Sequence, residues 1–120
     1  MILPGSNSDK KISNEEIAKL TLKCLKDSVP SEVPGIAFLS GGQTDIEATD
    51  NLNQINIHNN TNFIMTFSYG RALQQSALNY WSKNQEDFEN TKKIFNHRSK
   101  MNSLSVKAEW SEATESKTAA

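Results

Sequence analysis

The sequence has a single cysteine, three prolines and two histidines, and no excess of charge of either sign. Each scarcity removes a class of protein. One thiol, Cys24, cannot close an internal disulfide, so the chain is no disulfide scaffold and its composition agrees with a reducing compartment. Thirteen basic against fourteen acidic residues leave a net charge of -1, without the basic footprint that a nucleic acid or an anionic membrane would require. No apolar run approaches the roughly 20 residues of a membrane-spanning helix. The opening "MILPGSNSDKK" has neither the basic start nor the long apolar stretch of a signal peptide, so the expected compartment is the cytoplasm. The sequon Asn59-Asn60-Thr61 is then expected to stay unmodified. His58 and His97 each stand alone, with no second ligand at suitable spacing, so both read as surface histidines and no metal is expected.

What is present is an alternation of elements in 120 residues, enough for one domain with a real core and too few for two. Ser13-Asn14-Glu15-Glu16 has capping-box spacing, and Ile17, Leu20, Cys24 and Leu25 fall on one helical face. This predicts a helix from about Asn14 to Asp27, with Cys24 a small core residue and Pro30 and Pro34 closing the segment. Gly35-Ile36-Ala37-Phe38-Leu39 is apolar without alternation, the pattern of a parallel strand buried on both faces. Thr44-Asp45-Ile46-Glu47 is a second capping box, and Ala48, Leu52 and Ile55 continue its stripe into a helix ending near His58.

Phe63-Ile64-Met65-Thr66-Phe67 reads as a second strand buried on both faces, closed by Ser68-Tyr69-Gly70. Arg71 opens a third helix with the stripe Leu73, Ala77, Tyr80 and Trp81, whose aromatic pair reads as core. A fourth helix is predicted after Asn84, from about Gln85 to Asn102, with Phe88, Thr91, Phe95 and Arg98 along one side. Residues 111–120, "SEATESKTAA", are small and polar and predict a disordered tail. The fold class is therefore α/β, with strands and helices alternating as in parallel sheets. Two parallel strands alone leave two edges unpaired, so either several chains assemble or the chain is part of a larger sheet.

"FLSGGQ" places Gly41 and Gly42 where a strand hands over to a capped helix. Glycine there lets backbone N–H groups approach an anion, while the helix start adds partial positive charge. The plainer reading is that the glycines only make a tight turn. The next strand, however, ends in "FSYGRALQ", with Gly70 at its carboxyl end and the always-charged Arg71 beside it. Two such loops on consecutive strands point to a phosphate site, of the kind built after strands seven and eight of eight-stranded barrels.

"VPGIAFLSGGQTDIEATDNLN" and "TFSYGRALQQSALNYW", continued by "RSKMNSLSVKAEW", closely resemble the last two strand-loop units of the Schiff-base (class I) fructose-1,6-bisphosphate aldolases, from Met1 to Trp110. The resemblance implies that residues 1–110 are the C-terminal part of a (β/α)8 barrel, with residues 111–120 as the disordered tail. It implies a glycolytic lyase that reversibly cleaves fructose 1,6-bisphosphate to dihydroxyacetone phosphate and glyceraldehyde 3-phosphate, in a family that is commonly homotetrameric. Ser40, Gly41, Gly70 and Arg71 would hold a substrate phosphate, the first three through backbone N–H groups. The implied partner is a sugar phosphate; no cofactor, nucleic acid or membrane is implied.

In the family an imine-forming lysine sits in a Lys-Pro-Asn-Met segment, and the match starts at its Met, so the nucleophile would lie just before Met1. Lys10, Lys11, Lys19, Lys23 and Lys26 match no family nucleophile and read as solvated, so the chain by itself is expected to be inactive. Departures are Ile46, where the family usually carries an acid, and Ala108-Glu109-Trp110, where it usually reads Gly-Lys-Tyr; the family's terminal tyrosine has no counterpart. Two further readings stay open: a non-catalytic short product that binds phosphate or associates with intact aldolase, and an incomplete product with no function of its own.

Overall fold

Local capping chemistry sets where most elements begin. In the computed structural model, which describes residues 1–118, α1 spans Asn14–Ser28 and starts at Ser13, whose hydroxyl accepts the N–H of Glu16 at 3.2 Å. Glu15 and Glu16 in the first turn and Lys26 in the last complement the helix dipole. Strand β1 covers Gly35–Phe38 and leads to α2 at Asp45–His58. Thr44 caps α2 with a complete capping box: the Glu47 carboxylate accepts the Thr44 N–H at 2.9 Å, and the Thr44 hydroxyl accepts the Glu47 N–H at 3.2 Å.

Strand β2 covers Ile64–Phe67, and α3 follows at Arg71–Trp81. Helix α4 spans Phe88–Val106, later at both ends than the spacing predicts. Asp87 is the better cap, accepting the Asn90 N–H at 3.1 Å, while the Asn84 amide turns back to the Tyr80 carbonyl at 3.0 Å and closes α3 instead. Helix α4 ends in a Schellman turn, with Glu109 N–H on the Leu104 carbonyl at 2.9 Å and Ala108 N–H on that of Ser105 at 3.2 Å. That turn holds Ala108 at a φ of 59°. Against the expected disordered tail, Glu112–Thr118 form a further helix, α5; Ala119 and Ala120 lie outside the described residues.

β1 and β2 pair in parallel with Gly35 opposite Ile64 and Phe38 opposite Phe67. A β-carbon on Gly35 would sit 3.0 Å from the Ile64 carbonyl oxygen, a crowded contact that glycine avoids. Helix α2 is the centre of the helical layer and packs against α1, α3, α4 and β2. Leu52 and Ile55 of α2 are fully buried with Met65 of β2 beneath them, and Ala18, Leu22, Phe38, Phe63 and Tyr69 complete the same core.

Three expectations about burial are corrected. The strands are covered on one face only: Met65 and Phe38 are buried, whereas Ala37 and Ile64 are exposed, and of the helices only α2 and α4 pack against a strand, β2. Cys24 is exposed rather than core, since α1 turns Ile17, Ala18, Thr21 and Leu22 inward and leaves Leu20 and Cys24 outside. Trp81 is exposed at the end of α3, where its ring lines an open apolar groove with Leu78, Phe88 and Phe95; Tyr80 is half-buried and donates its hydroxyl hydrogen to Asp87 at 2.6 Å.

Candidate functional site

The parallel register brings the ends of both strands to one edge of the sheet. Ser68 N–H donates to the Phe38 carbonyl at 2.8 Å, so the loops after β1 and β2 leave the ladder side by side. In the first loop, Gln43 N–H closes a turn on the Ser40 carbonyl at 3.1 Å, and the Gln43 amide donates to the same oxygen at 2.6 Å. The turn holds Gly41 at a φ of 60° and Gly42 at 83°, left-handed conformations in which a side chain is strained. In the second loop, Gly70 is the N-cap of α3 and offers no side-chain hydrogen bond to the helix start, which leaves first-turn N–H groups open.

Between the two loops lies a cleft of about 330 Å³, walled by Ser40, Gly42, Gln43, Thr44 and Asp45 on one side and by Arg71, Ala72, Gln75, Ser76 and Asn79 on the other. Ser40 and Arg71 are thus brought together. Gly41 and Gly70 belong to the same loops but do not contribute to the cleft lining. Arg71 is exposed and makes no ion pair or hydrogen bond among the described residues. Lys10, Lys11, Lys19, Lys23 and Lys26 are all exposed, as read from the sequence, and none of them lines the cleft.

A carboxylate, Asp45, also stands in the cleft wall, and its charge is not free. Its Oδ1 accepts the Ile46 N–H at 2.9 Å, its Oδ2 accepts the Ser76 hydroxyl at 2.6 Å, and Arg98 Nε lies 3.5 Å from Oδ2. Arg98 is 5 % exposed and is shared with α5: Nη2 and Nη1 donate to the two oxygens of Glu115 at 2.6 and 3.1 Å. Glu115 also meets His97 Nε2 at 2.8 Å and accepts the Trp110 indole N–H at 2.8 Å. Burial alone would raise the Glu115 pKa, but the hydrogen bonds from His97, Arg98 and Trp110 outweigh it and hold the carboxyl below its usual range.

His97 is therefore a half-buried partner of Glu115 rather than a surface histidine, and this cluster is what the sequence reading missed. The available signal was Arg98 on the same helical side as Phe88 and Phe95, since a cation in an apolar stripe needs a buried counter-charge. His58, in the last turn of α2, is half-buried and lines a shallow depression with lysines of α1. No group of residues suited to a metal occurs among the described residues. No helix among them is long and apolar enough to cross a membrane.

The model of the glycolytic class-I fructose-bisphosphate aldolases matches residues 1–120. The chain belongs to that family. A probable class 1 fructose-bisphosphate aldolase of Xylella fastidiosa is 40% identical over 111 residues, covering 92% of this chain and 33% of the relative. Cytosolic fructose-bisphosphate aldolase 4 of Arabidopsis thaliana is 48% identical over 104 residues, 86% of this chain and 26% of the relative. Among solved structures, the Plasmodium falciparum aldolase, in complex with TRAP and a small-molecule inhibitor, superposes with a TM-score of 0.84 at 37% identity, covering 89% of this chain and 31% of that one. The chain thus spans about a third of the length of the curated aldolases it matches. Its two parallel strands and their helices are part of the α/β barrel of these aldolases.

Proposed function

We propose that this chain supplies a substrate-phosphate cradle of a cytoplasmic, glycolytic class I aldolase. In that reading Ser40, Gly41 and Gly70 present backbone N–H groups, the α3 N-terminus adds its partial charge, and Arg71 adds a guanidinium to a phosphate of fructose 1,6-bisphosphate. The observation that carries it is the cleft shared by Ser40 and the unpaired Arg71 at the carboxyl edge of the sheet. An arginine without a counter-ion among the described residues, between a glycine turn and an open helix start, is an arrangement suited to an anion.

The reaction of such an aldolase needs more than this cradle. A lysine amine condenses with the substrate ketone, water leaves, and the imine accepts the electron pair of the breaking carbon–carbon bond while acids and bases move protons. No lysine of this chain stands at the cleft, which supports the reading that the chain binds phosphate and does not by itself turn over. A second reading, association with intact aldolase, draws support from the open strand face carrying Leu39 and Ile64, which are 70% and 68% exposed.

The test is retro-aldol activity on fructose 1,6-bisphosphate with borohydride trapping, beside phosphate binding followed by phosphorus NMR. Expected are no turnover, no lysine adduct, and saturable phosphate binding that Arg71→Gln abolishes. Turnover with a trapped lysine would overturn the reading and identify the nucleophile.

A further inference from the structure

Asp45 poses a problem for an anion cleft, because a carboxylate in its wall repels the ligand that Ser40 and Arg71 would hold. The structure assigns the answer to Arg98: it is a positioning residue that offsets the Asp45 charge from behind the wall and so permits a phosphate to enter. This role rests on the cradle reading and deepens it.

The geometry is directional. Glu115 takes both Nη groups of the guanidinium, at 2.6 and 3.1 Å, which fixes the plane of the fork. Nη1 also reaches the Thr49 hydroxyl at 3.2 Å. The edge left over is Nε, which has no hydrogen bond among the described residues and faces Asp45 Oδ2 at 3.5 Å. Asp45 is held to meet it, since the Ser76 hydroxyl donates to that same Oδ2 at 2.6 Å. Asp45 and Ser76 line both the phosphate cleft and a second cleft behind it, of about 650 Å³, into which Lys93, His97, Arg98 and Glu115 also face. The wall between the two clefts is therefore an ion pair with its anionic end toward the cradle and its cationic end buried. Helix α5, through Glu115, holds that cationic end in place.

The experiment is inorganic phosphate affinity of the 120-residue chain in a cycle of Arg98→Gln, Asp45→Asn and the double variant, with Arg71→Gln as reference and folding checked by circular dichroism. Arg98→Gln is expected to weaken phosphate binding about tenfold or more, the order of effect of one uncancelled charge a few ångströms away in a half-exposed cleft. Adding Asp45→Asn is expected to restore affinity to within about threefold of the original, which a merely structural loss at Arg98 would not allow.

Asp45→Asn alone is expected to strengthen phosphate binding severalfold or more, because it removes the wall carboxylate and leaves the Arg98 charge in place. Failure of the double variant to recover, or weaker binding in Asp45→Asn alone, would overturn the role of Arg98, the latter even where Arg98→Gln does not fold. Binding that is lost with Arg71→Gln but indifferent to Arg98→Gln overturns Arg98 and leaves the cradle standing. Binding that is absent, or indifferent to Arg71→Gln, overturns the cradle and this role with it.

Discussion

Asn53 of α2 and Trp110, beyond the end of α4, grip each other by two backbone-directed hydrogen bonds in the core. The Asn53 amide donates to the Trp110 carbonyl at 3.1 Å, and its oxygen accepts the Trp110 N–H at 3.1 Å. Both residues are buried, so the side chain does for the two backbone groups of one residue what a neighbouring strand would do. Asn53→Leu keeps a similar volume but strands both backbone groups, and is expected to cost about 3 kcal/mol in urea unfolding. A loss below about 0.5 kcal/mol would mean that the segment re-pairs elsewhere.

Ala108 holds a left-handed conformation, φ 59°, at the Schellman turn after α4. A β-carbon in that region costs roughly 1–2 kcal/mol, partly offset by the lower backbone entropy of alanine in the unfolded chain. Ala108→Gly is expected to stabilise the chain by about 1 kcal/mol, seen as a raised urea midpoint with an unchanged slope. A destabilising result would show that the turn is not held as described.

Glu115 should make the docking of α5 depend on pH. Its carboxyl is held below the usual range in the folded chain, so its contribution is present above the unfolded pKa and is lost as pH falls through the folded one. Trp110 reports on it directly, because its indole N–H bonds Glu115 at 2.8 Å. In a Trp81→Phe background the Trp110 fluorescence is expected to change at acid pH, with a midpoint below that of an ordinary glutamate, and Glu115→Gln is expected to remove that transition. Persistence of the same transition in Glu115→Gln would assign it to another group.

Gly42 tests the phosphate loop separately from Arg71. A β-carbon there meets nothing within 4 Å, so Gly42→Ala adds no clash, only the strain of a φ of 83°. A stability loss of about 1 kcal/mol is expected, with phosphate affinity falling as the turn relaxes. Full stability together with full affinity would show that the loop does not need its left-handed turn.

The uncovered strand face offers a solubility test. Leu39→Lys and Ile64→Lys replace side chains that are 70% and 68% exposed. Stability is expected to stay within about 0.5 kcal/mol while binding of an apolar dye and self-association in sedimentation both fall. Unfolding of either variant would mean that this face is already covered in solution.

Much of the architecture was legible because it rests on short-range chemistry. Capping boxes at Ser13 and Thr44, apolar stripes, glycine turns and apolar strands each act within a few residues, so the first six elements were readable in order, and the two glycine-bearing loops with them. The resemblance of those loops to class I aldolases needed no structure either, and residues 1–120 match the family model. The start of α4 was misread because two candidate caps, Asn84 and Asp87, lie three residues apart, and their choice depends on what each side chain can reach.

Only the tertiary structure decided what the buried charges do. Residues 111–118 are polar enough to read as tail, yet Glu115 finds Arg98, His97 and Trp110, and that gain orders α5. Arg98 meets Asp45 across two helices, a pairing between residues 53 positions apart that no local spacing encodes. Burial of Leu20, Cys24 and Trp81 was likewise a question of which neighbours arrive. Helix period restricts which residues share a face, while the direction in which that face turns depends on all the other elements packed against it.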